Sequence, residues 1–362
     1  MFEIVIKDRY EPRRISNFNK FNIGLTFDSI GDTFGFAWLF DEKNYDHKEL
    51  LCLSHFHPCD VYYNGEKIVT GNIINNEFEH SPDPAMIQIG GYSRPGILSN
   101  SCVSIQDYPL QTKGLTIENV AKKLCEPKHI VVKIDDSVKS KMQTIVTDDD
   151  IQPTDTIESY LKKITEVKRI VMTHNTDGEL VFTEAKTNVN PVRVFDNTTG
   201  SFPATGFKMK FNGEGMHRFI TVTQQATGSG TKGGQFTIRN PFVINTYPKD
   251  ITITSSSGIA DDMKSAARQE LGKELQNITL SAEIYDWKLG DDLILPGQMI
   301  TVYDEKLYLY LKVDWFIKSV NYNADEKGIT CSISCVLPEV FNEAEVLNIF
   351  KDINIHGQIN EY

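Results

Sequence analysis

Thr116-Ile117-Glu118-Asn119-Val120-Ala121-Lys122-Lys123-Leu124-Cys125-Glu126-Pro127-Lys128-His129-Ile130-Val131 returns in altered form as Thr156-Ile157-Glu158-Ser159-Tyr160-Leu161-Lys162-Lys163-Ile164-Thr165-Glu166-Val167-Lys168-Arg169-Ile170-Val171. Thr-Ile-Glu, the paired lysines, a glutamate, a lysine and Ile-Val recur at a constant offset of 40 residues. Each copy reads as a helix and then a strand. The threonine stands where a helix N-cap belongs, able to accept from the first free backbone N–H groups. Ile117, Val120, Ala121 and Leu124, like Ile157, Tyr160, Leu161 and Ile164, follow at helical spacing before a β-branched run shortens the period. Two such units bury together what neither buries alone, and two are too few for a solenoid. One compact α/β module, set into a larger chain, is therefore expected.

On the N-terminal side the chain reads as β. Strands are expected at Phe2–Ile6, Phe34–Phe40, Glu49–Leu53 and Met86–Ile89. The clearest hairpin spans Asp60 to Ile73, where Asn64-Gly65 supplies the two positive-φ residues of a type I′ turn. Gly90-Gly91 predicts a bend or bulge.

After the module, strands resume near Asn190 and continue to Val336, interrupted once by a helix over 259–276. That helix sets Ile259, Met263, Ala266, Ala267, Leu271 and Leu275 on one face, with Ser257 or Gly258 near its start. Strands are expected at Ile300–Tyr303, Tyr308–Val313, Phe316–Tyr322 and Ile329–Val336. In the last, Ile329, Cys331, Ile333, Cys335 and Leu337 share one face and Thr330, Ser332 and Ser334 the other. The stretches 61–67 and 301–306 faintly echo each other, each a tight turn between strands. The expected fold is mainly β with an α+β insertion: two similar β-barrels flanking a pair of helix–strand units. The boundaries read as a first barrel at 1–104, the insertion at 105–188, a second barrel at 189–340 and a tail at 341–362.

Composition bounds the function. At 362 residues the chain has room for two to four domains, and 40% hydrophobic with 24% charged residues is ordinary for a globular protein. No apolar run approaches bilayer length, and Met1 to Arg14 is a short strand pattern ending in charges, so cytoplasmic synthesis without membrane insertion is expected. The six cysteines are scattered. Cys331 and Cys335, about 13 Å apart on one strand, are too distant to bridge. Sequons at Asn197 and Asn277 carry no weight without a secretion signal. The net charge of −12 argues against a protein that grips nucleic acid by its phosphates. It suits a surface past which DNA slides.

Candidate chemistry is sparse. Cys52, His55, His57 and Cys59 are the most tempting cluster, since on an extended segment the last three share a face and their nitrogen and sulfur atoms suit zinc. No second ligand pair closes a tetrahedron, and Pro58 breaks the alternation, so these read as loop and edge-strand side chains. Gly228-Ser229-Gly230-Thr231-Lys232-Gly233 satisfies G-x-G-x-x-G, but the strand Phe236-Thr237-Ile238 follows it where a dinucleotide site needs a helix. The acidic runs Asp148-Asp149-Asp150, Asp261-Asp262 and Asp291-Asp292 read as solvated loop charges. No serine-, zinc- or cysteine-hydrolase motif is present. No catalytic residue, metal or cofactor is expected, and no enzyme.

The order of elements resembles the baseplate hub proteins of contractile-tailed bacteriophages, the Mu-type tail protein and the late-control D group. Gly90-Gly91-Tyr92-Ser93-Arg94-Pro95-Gly96-Ile97-Leu98, leading to Gly114-Leu115-Thr116-Ile117-Glu118-Asn119-Val120-Ala121, is similar to that family's passage from first barrel to insertion. Asp155-Thr156-Ile157-Glu158-Ser159-Tyr160-Leu161, then Asp177-Gly178-Glu179-Leu180-Val181-Phe182, resembles its second insertion unit. Asp286-Trp287 and Leu295-Pro296-Gly297-Gln298-Met299-Ile300-Thr301-Val302 resemble its re-entry into the second barrel. Trp315-Phe316-Ile317-Lys318-Ser319-Val320 with Gly328-Ile329-Thr330-Cys331-Ser332 resembles its closing hairpin. The likeness runs from residue 85 to 340 and rests on the sequence of elements more than on invariant residues.

The resemblance implies a structural virion protein of the tail baseplate, assembled in the host cytoplasm. It implies a homotrimer whose paired barrels present six similar surfaces to a sixfold tail tube, or its adaptor, and three to a threefold spike. Spike-fused relatives in type VI secretion continue into a needle domain, whereas this chain stops soon after Pro338, so the spike is expected to be a separate polypeptide. Wedge proteins are further partners, and genomic DNA passes through an acidic or neutral lumen without specific binding. The alternatives are a siphophage-type tail-tip hub and a tail-associated cell-wall hydrolase.

Overall fold

The computed structural model describes all residues except 1, 8–10, 17, 42, 80–85, 106–110, 148–150, 167, 201–205, 225–233, 256–259, 291, 343 and 351–362. They divide into two units, Met1–Glu184 with Asn321–Cys331, and Ala185–Val320 with Ser332–Tyr362.

The first unit opens with β1 (Phe2–Lys7), β2 (Pro12–Ile15), β3 (Lys20–Thr26), β4 (Thr33–Leu39), helix α1 (Tyr45–Leu50), β5 (Pro58–Tyr63), β6 (Glu66–Glu79) and β7 (Met86–Ser93). Its strands form an antiparallel sheet in the order β3-β4-β7-β6-β5-β1-β2. Alternation decides the faces: Phe21, Ile23, Phe34, Phe36, Ile87 and Ile89 are buried on one side, leaving the residues between them outward. The β5–β6 hairpin turns through Asn64 at φ 49° and Gly65 at φ 84°, as its sequence requires. The bulge expected at Gly90-Gly91 falls on the partner strand instead: the register shifts between Ile73 and Asn75 on β6, while β7 runs on through both glycines opposite it. Gly91 is needed for close packing, since a Cβ there would lie 2.2 Å from Asn72 O and 2.3 Å from the Phe34 ring.

The strand expected at Glu49–Leu53 is corrected: α1 occupies Tyr45–Leu50 instead. Asn44 starts it, its side chain accepting from His47 N and its carbonyl from Lys48 N. Adjacent Leu50 and Leu51 are both buried, which an alternating strand with one wet face does not allow.

The module follows as α2 (Ile117–Cys125), β8 (Val132–Ile134), the short α3 (Lys139–Met142), α4 (Ile157–Glu166), β9 (Val171–His174) and β10 (Leu180–Thr183). Both copies form as read. Thr116 Oγ1 accepts from Asn119 N at 3.2 Å and Thr156 Oγ1 from Ser159 N at 3.1 Å. The lead-in of each copy closes the other's helix: Ile117 N donates to Thr144 O, and Ile157 N to Ser101 O. The two repeat strands do not pair with each other. They flank β10, with β8 parallel and β9 antiparallel to it. One core unites both copies through Val120, Leu124, Tyr160 and Leu161, and reaches Ile30 and Leu98 outside the repeats.

In the second unit, β11 (Arg193–Asp196), β12 (Phe207–Phe211), β13 (Phe219–Gln224), β14 (Gln235–Arg239), β15 (Ile251–Ser255), α5 (Ala260–Leu275), β16 (Ile278–Ile284), β17 (Lys288–Leu289), β18 (Asp292–Leu293), β19 (Met299–Asp304), β20 (Leu309–Asp325) and β21 (Gly328–Val336) follow in order, except that Asn321–Cys331, the end of β20 and the start of β21, count with the first unit. The larger sheet runs β12-β16-β21-β20-β19-β11, and a smaller one β14-β13-β15. Met263, Ala267, Leu271 and Leu275 are buried along α5, and the first two pack with Val222 of the smaller sheet. The expected helix thus forms, while Ser257, Gly258 and Ile259 lie outside the described residues. Cys331, Ile333 and Cys335 are buried in β21 while the serines between them are part-exposed.

The strands expected at 308–313 and 316–322 are corrected to one, β20, starting after Tyr308 turns left-handed at φ 60°. Asp314 does not break it, because cross-strand Thr301 donates its hydroxyl to the Asp314 carboxylate. The expectation of a mainly β chain carrying an α/β insertion is borne out.

Candidate functional site

The module is seated on the first β region by the turn His174-Asn175-Thr176-Asp177-Gly178-Glu179 (all within the first unit). Asn175 shapes it, its Oδ1 accepting from Asp177 N at 3.1 Å and Glu179 N at 3.0 Å. Gly178 lets it descend: φ is +74°, and a Cβ would lie 3.1 Å from both Arg94 Cβ and Thr70 Cγ2. Thr70 Oγ1 lies 2.7 Å from Thr176 O and 2.8 Å from Asp60 Oδ1, while Lys7 Nζ pairs with Asp60 at 2.9 Å. Lys67 and Asp177 form an ion pair at the rim.

At the base, His174 Nε2 lies 3.0 Å from Asp32 Oδ2, with side-chain exposures of 5% and 6%. Asp32 Oδ1 accepts from Thr26 N at 3.0 Å. Burial pushes the Asp32 carboxyl above its ordinary value, and the hydrogen bond and charge of His174 oppose that rise. This arrangement positions a domain.

The outward face of the sheet is built from transverse rows. Asn22, Gly35, Gly90 and Asn75 stand in register across β3, β4, β7 and β6; Lys20, Ala37, Gln88 and Glu77 form the next row. The two central glycines leave bare backbone between flanking amides. With Asn19, Asn76 and Glu326 they line an open cleft of about 890 Å³ in which one lysine meets two glutamates. The surface is amide-rich and nearly neutral.

In the second unit, Glu274 near the end of α5 is 4% exposed and fully engaged. It accepts from His217 N at 3.0 Å, from Asn240 Nδ2 at 2.9 Å, and meets His217 Nδ1 at 2.6 Å. Met209, Phe211, Phe242, Tyr308 and Phe350 line an apolar groove of about 550 Å³.

The cysteine–histidine stretch is not extended, contrary to the reading that aligned it on one face: Ser54 and Phe56 both have positive φ, 67° and 48°. His55 and His57 meet ring edge to ring face at 5.2 Å, Cys52 is exposed and Cys59 is buried. Burial, helped by the neighbouring Asp60 charge, pushes the Cys59 thiol up to about 12. Among the described residues no group of three or more His, Cys, Asp or Glu is placed to hold a metal. The glycine-rich stretch 228–233 and Asp148-Asp149-Asp150 lie outside the described residues, as do Asp291 and the side chains of Asp261 and Asp262. β14 does follow the glycines. The His174–Asp32 contact, spanning 142 residues, has no local signal.

Residues 99–184, which contain both copies and the seating turn, match the family model described as baseplate hub protein gp44-like, second domain. The chain is 23% identical over 291 residues to the baseplate hub protein gp44 of Escherichia phage Mu, covering 76% of this chain and 74% of that protein. Its fold is that of the 43 kDa tail protein of prophage MuSo2 from Shewanella oneidensis (TM-score 0.77, 17% identity, 94% of this chain and 100% of that one). It is also that of a tail protein from Neisseria meningitidis MC58 (TM-score 0.73, 18% identity, 94% and 98%). The resemblance read from the residues is borne out: the chain carries a gp44-like baseplate hub second domain at 99–184 and is similar over most of its length to phage tail proteins.

Proposed function

We propose that this protein is the structural hub of a contractile phage-tail baseplate, a trimeric ring that joins a sixfold tail tube to a threefold spike carried by another polypeptide. The observation that carries the reading is the position of the gp44-like module, inserted between two β regions of one chain. Three copies of a chain with two such regions offer six surfaces to a sixfold partner and three modules to a threefold one. Tube or tube-adaptor, spike and wedge proteins are the partners, the virion tail is the location, and no catalytic step is required.

The domain boundaries that go with this reading are 1–104, 105–188, 189–340 and 341–362. The amide rows of the first sheet belong to the channel in this reading, where one lysine against two glutamates leaves DNA phosphates no cluster of cations to bind. A net charge of −12 works in the same direction.

Light scattering on size-exclusion peaks tests the assembly. A particle of three times the 41.0 kDa chain mass is expected. A monomer that clears bacterial cell walls in a zymogram would replace the hub with a hydrolase.

A further inference from the structure

Among the described residues other than glycine, those with positive φ mostly have a local reason for it. Asn64 turns a hairpin, His129 and Arg169 end the module's helices, and Tyr308 turns into β20. Ser54 and Phe56 do none of these. They stand two apart in the irregular stretch between α1 and β5, at φ 67° and 48°. A side chain in that conformation crowds the following carbonyl, so it persists only where its surroundings hold it. Here Asn72 Nδ2 donates to Phe56 O at 3.1 Å, and Ile73 N to His57 O at 2.9 Å. The strained loop puts large apolar side chains outward: Leu53 is 59% exposed and Phe56 58%. Apolar groups held out in this way mark a contact surface.

The second unit carries a recess of matching chemistry, the groove of about 550 Å³ lined by Met209, Phe211, Phe242, Tyr308 and Phe350. Phe211 and Tyr308 on its walls are exposed. Recesses of this size enclose a drug-sized ligand, which is more than a leucine and a phenylalanine side chain together. Aromatic walls favour a ring, as Phe350 meeting Phe211 and Phe242 edge to face at 6.2 and 5.9 Å illustrates. In a closed ring of three chains every contact between chains is heterologous, one patch against a different one. Where each chain gives two units to the ring, first and second units alternate, so the first unit of one copy meets the second unit of the next. We propose that Leu53 and Phe56 are the knob of that contact, and that the aromatic groove of a second copy of this chain is the hole. Three knobs then fill three holes and leave neither exposed. The inference rests on the trimeric ring proposed above and names the residues that close it.

Light scattering over a dilution series of the full chain tests it, with F56G and F211D beside wild type. F56G removes the knob and relieves the left-handed strain. Its urea midpoint, taken at a dilution where wild type is monomeric, is expected to equal or exceed that of wild type. The concentration at which its trimer falls to half should nevertheless rise about tenfold or more, and F211D, which puts a charge in the hole, should do the same. F56G trimers that dissociate at the wild-type concentration would overturn the contact and leave the ring standing; a wild type monomeric throughout would overturn both. Should F211D fail to fold, the exposed native thiol of Cys52 decides instead. In K306C, on the groove wall, a bismaleimide of about 13 Å reach, the most that the four residues to Phe56 span, is expected to give two- and three-chain bands. C52S/K306C should give none. Bands that persist without Cys52, or no bands from a K306C trimer, refute the knob and hole.

Discussion

His129 and Arg169 stand 40 residues apart and end their helices the same way, each in the left-handed conformation, at φ 55° and 54°. In the first copy His129 N donates to Glu126 O and Ile130 N to Cys125 O; in the second, Arg169 N donates to Glu166 O and Ile170 N to Thr165 O. This paired 5→2 and 6→1 pattern is the Schellman ending, whose left-handed position is most easily filled by glycine. Neither copy uses one. H129G and R169G are therefore each expected to raise stability by about 0.5–1 kcal/mol in urea melts. The opposite ends should behave oppositely, with T116A and T156A each costing about 1 kcal/mol through the lost cap.

Neighbouring glycines on β7 should differ sharply. A Cβ on Gly90 meets Asn75 Cβ at 3.5 Å, an ordinary contact, whereas one on Gly91 lies inside the radius of Asn72 O and the Phe34 ring. G90A is expected to stay within about 1 kcal/mol of wild type, and G91A to lose more than about 3 kcal/mol or fail to fold. Thermal melts of the two variants side by side check this.

How much could be read beforehand follows from how local each cause is. The repeat, the Asn64-Gly65 hairpin and the apolar stripe of α5 are written within a few residues, and all three formed. Glu49–Leu53 misled because Leu50, Leu51 and Leu53 look like a short strand, while the deciding residue, Asn44, lies ahead of them. The strands expected at 308–313 and 316–322 are one because Asp314, between them, is satisfied by Thr301 on another strand, far from it in sequence. The seating turn was half legible: Asn175, Asp177 and Gly178 announce a turn, but nothing nearby says that His174 will meet Asp32. Contacts that close over long separations are where single-chain reading stops.

Glu274 concentrates three contacts of the second unit, joining α5 to His217 and Asn240. Removing its carboxylate leaves a buried amide and a backbone N–H without acceptors. E274A is expected to cost about 2–3 kcal/mol, and E274Q, which keeps one acceptor oxygen, about half of that. Chemical denaturation followed by a signal from the second unit checks the ratio.

Thiol chemistry should separate the cysteines by burial. Burial pushes Cys125 up to about 12, as it does Cys59, and Cys331 and Cys335 are also buried, while Cys52 is exposed. The sign is unambiguous, because a raised thiol value keeps the proton on sulfur and removes the thiolate that an alkylating reagent attacks. At about pH 8 the thiolate fraction of Cys59 or Cys125 is about one in ten thousand. Iodoacetamide applied to native protein at that pH should label Cys52 first, as read by peptide mass mapping. Cys59 and Cys125 should react only after denaturant is added, and their labelling in the native protein at the rate of Cys52 would show that the first sheet and the repeat core open far more often than their packing allows.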